Sequence, residues 1–141
     1  MMFQLDPANA FHARVADRLT KEKVGWLTTV GADGTPQPNM IWFLWNGGDK
    51  IQIYSLDSQK VRNITRNGGV SFNLNGDDEG GNVIVLTGTA TIDSSSPSAA
   101  ENAPYVEKYA GGMKNLGLDP VGFAAAYRNP IVLTIARLRG H

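Results

Sequence analysis

The sequence predicts a mostly β protein with peripheral helices, in which six or more antiparallel strands curl into a small barrel. Apolar and polar residues alternate with the two-residue period of a strand through residues 50–56 and 70–75, and a long strand over 82–93 turns Ile84, Leu86, Ala90 and Ile92 one way and Val83, Val85, Thr87, Thr89 and Thr91 the other. Turn clusters such as Gly31-Ala32-Asp33-Gly34 and Asn46-Gly47-Gly48-Asp49 separate such runs at hairpin spacing. Gly88 interrupts the longest run near its middle, where a glycine commonly marks the bend or bulge that lets a sheet curl, and closure removes exposed edges.

Taken in order, Asp6-Pro7 predicts a helix opening, because a carboxylate caps free amides and proline loses no hydrogen bond at the first helical position. That helix is expected to run to about Glu22. Phe11, Val15 and Leu19 recur on one face while Arg14, Asp17, Arg18 and Lys21 fill the rest, so it packs on a sheet surface. Residues 24–30 form the first strand of a hairpin. Its second strand, residues 37–45, is apolar on both faces through Met40-Ile41-Trp42-Phe43-Leu44-Trp45 and is expected to be central or covered on each side. Pro36 and Pro38, which lack backbone donors, mark the start of this strand as an edge or a site. Residues 50–56 form the third strand and run into a short helix beginning at Ser58, which Asn67-Gly68-Gly69 ends. Strands follow at 70–75 and 82–93, on either side of the acidic turn Asp77-Asp78-Glu79-Gly80-Gly81. Helices are predicted at 97–110, ended by Gly111-Gly112, and at 120–127, opened by Asp119-Pro120. Asn129-Pro130 stops the last helix, and residues 131–138 form the closing strand.

The 141 residues, 42% of them hydrophobic, fit a single domain spanning 1–141 with a core that needs no disulfide or metal. Lysine plus arginine and aspartate plus glutamate stand at 13 each, so the overall field gives no long-range attraction for nucleic acid or anionic membrane. The absence of cysteine removes thiolate metal sites and cysteine nucleophiles. The first six residues lack the cationic start and apolar run of a secretion signal, and no stretch approaches a membrane span, which predicts a soluble cytoplasmic protein.

Between Ser58 and Gly76 there is no acidic residue, yet Lys60, Arg62 and Arg66 all fall there. Lys60 lies in the first helical turn beside free amides, after the hydroxyl-rich Tyr54-Ser55-Leu56-Asp57-Ser58, and this is how a phosphate cradle is commonly built. The same charges also fit a solvated helix face, with Val61 and Ile64 as its buried stripe. Gln37, Asn39 and Met40 could address a heteroaromatic ring or simply leave a turn with satisfied side chains. Trp26, Trp42 and Trp45 read as core more readily than as a ring clamp. His12 and His141 read as surface residues, and Asp77-Asp78-Glu79 as a solvated turn with no metal. Fingerprints for dinucleotides, nucleotide-binding loops, helical zinc sites and nucleophile elbows are all missing, so an enzyme built on this chain relies on a cofactor for the difficult step.

Gly25-Trp26-Leu27-Thr28-Thr29-Val30, then Asp33-Gly34-Thr35-Pro36-Gln37-Pro38, Met40-Ile41-Trp42-Phe43, Tyr54-Ser55 and Lys60-Val61-Arg62-Asn63-Ile64 together resemble the pyridoxamine phosphate oxidase-like family of FMN-binding split β-barrels. More narrowly, they resemble its branch of oxidoreductases that use the deazaflavin coenzyme F420. The likeness covers almost the whole chain, through Pro130-Ile131-Val132-Leu133, and is least specific over residues 94–127. It implies a homodimer with cofactor sites between subunits. Lys60 would hold the cofactor's phosphate with Ser55, Gln59 and Arg66. Gln37, Asn39 and Met40 would line its ring, and Tyr54 and Val61 would complete the cofactor-binding set. The implied reaction is hydride transfer from reduced F420 to an electron-poor small organic substrate, with an FMN-dependent oxidase or reductase, or a non-catalytic F420 carrier, as alternatives. No catalytic side chain is assigned, and Tyr54, Tyr127 and solvent all stay open as proton source. Met113, Phe123 and Tyr127 are candidates to roof a substrate pocket, or plain packing.

Overall fold

The computed structural model describes residues 2–141. The chain runs α1 (Ala10–Lys21), β1 (Gly25–Val30), β2 (Pro36–Ile41), β3 (Leu44–Trp45), β4 (Lys50–Ser55), α2 (Gln59–Arg66), β5 (Gly69–Asn73), β6 (Ile84–Ile92), α3 (Ala103–Asn115), α4 (Pro120–Ala126) and β7 (Asn129–Gly140). The strands form one antiparallel sheet in the order β2-β1-β5-β6-β7-β4-β3. Its two end strands, β2 and β3, are joined in sequence by only Trp42 and Phe43, so the sheet must curl until its edges nearly meet. The result is a split barrel with helices outside it.

The expected strand over 37–45 is therefore two strands, and neither is central. β2 is an edge, which its prolines tolerate because an edge need not donate on both sides. Its apolar run on both faces has another cause, since Phe43 enters the barrel core while Trp42 packs into a second cluster outside it. The Phe43 backbone has left the ladder and finds other partners on α3. Its amide donates to the Tyr109 hydroxyl at 2.8 Å and its carbonyl accepts from Lys108 Nζ at 2.9 Å.

Other boundaries also shift. Asp6 does not open the first helix; it closes a separate turn, its carboxylate accepting from the Ala8 amide at 2.9 Å, and Asn9 caps α1 by accepting from the His12 amide at 3.1 Å. Val15 and Leu19 of α1 are fully buried, as their spacing predicts. α3 starts at Ala103 rather than residue 97, behind the Asn102 cap, and Gly111-Gly112 lies inside it. Glycine is needed there for packing and not for termination: a Cβ on Gly112 would stand 2.8 Å from the Trp42 ring. Gly88 does mark a bulge. The β6–β7 register shifts between Thr87 and Gly88, and a Cβ at Gly88 would lie 2.0 Å from the Thr134 carbonyl oxygen.

The barrel interior is filled by Leu27, Phe43, Ile51, Ile53, Phe72, Ile84, Leu86, Ile131 and Leu133, each at most 1% exposed. Each such side chain contributes about 1.5–3 kcal/mol of burial, which makes this cluster the main stabiliser of the curl. The second cluster, Tyr54, Tyr105, Tyr109, Met113 and Phe123, with Trp42 and Tyr127 against it, fixes α3 and α4 to the outer face of β4. Among the described residues no helix is long and apolar enough to cross a membrane.

Candidate functional site

A cavity of about 300 Å³ opens where the end of β4, the start of α2 and the helices α3 and α4 converge. Strand alternation sets its two sides: Ile51 and Ile53 face the barrel, which leaves Tyr54 for the outer cluster, and Ser55 then ends the strand beside α2.

The polar side is built around Lys60. Its ammonium donates to Ser55 Oγ at 3.3 Å and Ser58 Oγ at 3.4 Å, and the two hydroxyls lie 3.1 Å apart. Among the described residues no carboxylate pairs with it. The side chain is half-buried, and that burial holds its pKa below the ordinary lysine value of 10.5. Ser58 occupies the N-cap of α2 without a side-chain cap, so the first-turn amides of Gln59 and Lys60 stay open beside this cation. The one carboxylate lining the cavity, Asp57, is held by Arg128 and by Asn129 Nδ2 at 2.7 Å, and these bonds keep its pKa below the usual carboxylate value. Arg128 thereby neutralises the only anion at the rim.

The opposite side is aromatic. Trp42 lies parallel to Tyr109 at 4.6 Å and to Phe123 at 5.4 Å, and Phe123 lies parallel to Tyr127 at 4.2 Å, giving a four-ring stack. Trp42, Phe123 and Tyr127 of that stack face the cavity, as do Tyr54 and Tyr105. Met40, 49% exposed at the end of β2, completes the rim. Such a wall suits a flat conjugated ring, while Lys60 with two hydroxyls and open amides suits an anionic group. The residues present thus fit a phosphorylated ring cofactor.

Of the residues singled out from the sequence, Met40, Tyr54, Ser55 and Lys60 meet at this cavity. Gln37, Gln59 and Arg66 do not line it; they converge on Asn63. That buried side chain donates to Thr29 Oγ1 at 2.9 Å and Gln37 Oε1 at 2.8 Å, and accepts from Gln59 Nε2 at 2.9 Å and Arg66 Nη2 at 3.2 Å. Helical spacing explains the sorting, because residues 59, 63 and 66 share the face of α2 turned to β1, and Lys60 lies on the next. Asn39 is exposed on β2, and Val61 packs against the barrel core. Phe123 and Tyr127 line the cavity, whereas Met113 is buried beneath it. Trp42, read as core, is both core and cavity wall. Tyr105 is a further lining residue, and the four-residue spacing of Tyr105, Tyr109 and Met113 on one helix face is the signal that could have found it. Away from the cavity, Trp26 and Trp45 donate to Asn75 and Gly48, and Asp77 accepts the amides of Glu79 and Gly81 within its own turn.

A family model described as pyridoxamine 5'-phosphate oxidase matches residues 11–141. No curated protein matches the chain. Among solved structures, one described as F420 Reductase is 25% identical with a TM-score of 0.64, over 87% of this chain and 94% of its own. A conserved hypothetical protein from Mycobacterium tuberculosis is 27% identical with a TM-score of 0.68, over 90% and 81%. The heme storage protein HutZ from Vibrio cholerae shares the fold alone, at 17% identity and a TM-score of 0.62 over 98% and 95%.

Proposed function

The chain belongs to the pyridoxamine 5'-phosphate oxidase family, and from that premise we propose that it is a cytoplasmic, homodimeric oxidoreductase using coenzyme F420 to reduce an electron-poor small organic molecule. The observation that carries the reading is Lys60: a half-buried ammonium with two hydroxyl partners and no carboxylate, at the open end of α2, facing an aromatic wall. Likeness to the structure described as F420 Reductase, over nearly the whole of both chains, favours the deazaflavin over FMN. A cavity without histidine gives no support to heme binding, since His12 and His141 both lie outside it.

In this reading Lys60, Ser55, Ser58 and the first-turn amides of α2 bind the cofactor's phosphate, and Arg128 keeps Asp57 from repelling it. Met40 at the rim and the rings of Trp42, Phe123 and Tyr127 orient the flat portion and exclude water. When bound, reduced F420 supplies the hydride. The exposed edge of β2, with Pro38, Asn39 and Met40, is the surface a second copy would cover, closing the open side of the cavity. Tyr54 is not a free proton source, because its hydroxyl donates to the Pro97 carbonyl at 2.7 Å and accepts from Asn102 at 3.1 Å.

The test is a titration of the purified protein with F420 and with FMN, repeated on Lys60→Ala. Loss of one charge-assisted contact costs about 1.5–3 kcal/mol, so affinity for F420 should fall roughly ten- to hundredfold. Unchanged affinity rejects the assignment of Lys60, and tighter binding of FMN than of F420 moves the reading to a flavin enzyme. Tight F420 binding without oxidation of reduced F420 by enones or quinones makes the protein a carrier.

A further inference from the structure

Three tyrosines pack together at the cavity wall, and two have committed hydroxyls. Tyr54 bonds Pro97 and Asn102, and Tyr109 accepts from the Phe43 amide and donates to the Lys23 carbonyl at 2.7 Å. The third, Tyr105, is fully buried and its hydroxyl has no partner, the only such buried side-chain group among the described residues. An unpaired buried hydroxyl is costly to keep, and phenylalanine would fill the same space without that cost. Its neighbours explain the isolation. The Tyr54 ring stands edge-on at 4.8 Å, Tyr109 is tilted at 4.8 Å and Phe123 lies at 6.1 Å, so the surrounding wall is mostly aromatic carbon. Burial and the neighbouring phenols push the Tyr105 pKa up, so the group is a neutral donor and not a base.

Resting on the reading of this cavity as a ligand site, we propose that the Tyr105 hydroxyl is a hydrogen-bond donor reserved for the conjugated carbonyl oxygen of a flat ligand. A carbonyl is the acceptor that suits the place. It is planar like the stacked rings and carries no charge to desolvate, whereas an anion is served by Lys60 on the other side. The hydroxyl is sealed from solvent, so a ligand reaches it only by displacing part of the cavity wall. Two sources offer such a carbonyl: the ring of the cofactor itself, or a quinone or enone substrate.

The experiment compares wild type, Tyr105→Phe and Tyr54→Phe as full chains. Without ligand, Tyr105→Phe should melt no lower than wild type, while Tyr54→Phe, which breaks two bonds, should melt lower. Calorimetric titration with 1,4-naphthoquinone should show affinity falling roughly three- to tenfold in Tyr105→Phe, with naphthalene, which lacks the carbonyls, unaffected. A matching fall in F420 affinity alone assigns the carbonyl to the cofactor; a fall for the quinone alone assigns it to the substrate. The inference is overturned if Tyr105→Phe is destabilised like Tyr54→Phe, or if its affinities for both ligands equal those of wild type, or if wild type binds neither. Should wild type bind the quinone but not F420, the F420 assignment fails while the melting and quinone arms still decide the role of Tyr105.

Discussion

Asn63→Ala tests whether α2 is positioned by one buried amide. The native side chain uses both donors and its acceptor oxygen, on Thr29, Gln37, Gln59 and Arg66. These partners are not equivalent. Gln59 and Arg66 are exposed and Gln37 is partly so, and all three regain water when Asn63 is lost. Thr29 is fully buried and cannot. Stranding it costs about 1–2 kcal/mol, and the void left by the amide adds about 1 kcal/mol, for roughly 2–3 kcal/mol in all. For a 141-residue domain an unfolding entropy of about 0.3 kcal/mol per degree converts this to a fall in Tm of about 7–10 °C. Differential scanning calorimetry reads it, with Gln59→Ala, whose bond to Asn63 lies on the wet side, as a control expected to fall by less than about 2 °C. Equal, small effects for both variants would refute the claim that the buried end of the network carries the energy.

Gly88→Ala should destabilise by more than about 3 kcal/mol, because the added methyl meets the Thr134 backbone in the bulge, and urea denaturation checks it. Gly112→Ala should disturb the cavity wall, since its methyl meets a Trp42 ring already held between Tyr109 and Phe123; the near-ultraviolet circular dichroism of the tryptophan should change while the far-ultraviolet spectrum stays. For Lys60 the pH sign is fixed by burial. Its charge is lost at a lower pH than that of a free lysine, so binding of an anionic cofactor should weaken as pH rises toward 10, and Lys60→Arg should flatten that dependence. Folding of the ligand-free protein runs the other way: the unfolded chain holds this proton more tightly, so stability rises with pH between the folded value and 10.5.

The barrel was legible because its signals are local. Alternation in β4 and β6, and the lone glycine of the bulge, follow from the pleat whatever surrounds them. Where two surfaces compete for one segment, the pattern misleads: residues 40–45 are apolar on both faces because the chain crosses between two clusters, and Gly111-Gly112 reads as a stop because the ring that requires Gly112 comes from β2–β3, distant in sequence. The site divides in the same way. Lys60, Ser55 and Ser58 are close in sequence, so their meeting could be read from the start of one helix. Gln37, Gln59 and Arg66 have the right chemistry for a ligand, but their polar atoms are drawn to Asn63, and only the packing of α2 on β1 shows that. Tyr105 escaped notice because a free hydroxyl is recognised by what its neighbours already hold.

Trp42 and Phe43 are consecutive, yet one ring belongs to the outer stack and the other to the barrel core. The seam of the barrel therefore has a fixed length. One extra residue between Ile41 and Leu44 would carry at least one of the two rings off its place, leaving the space of Phe43 or the centre of the stack unfilled. Length variation at this joint should accordingly be tolerated poorly.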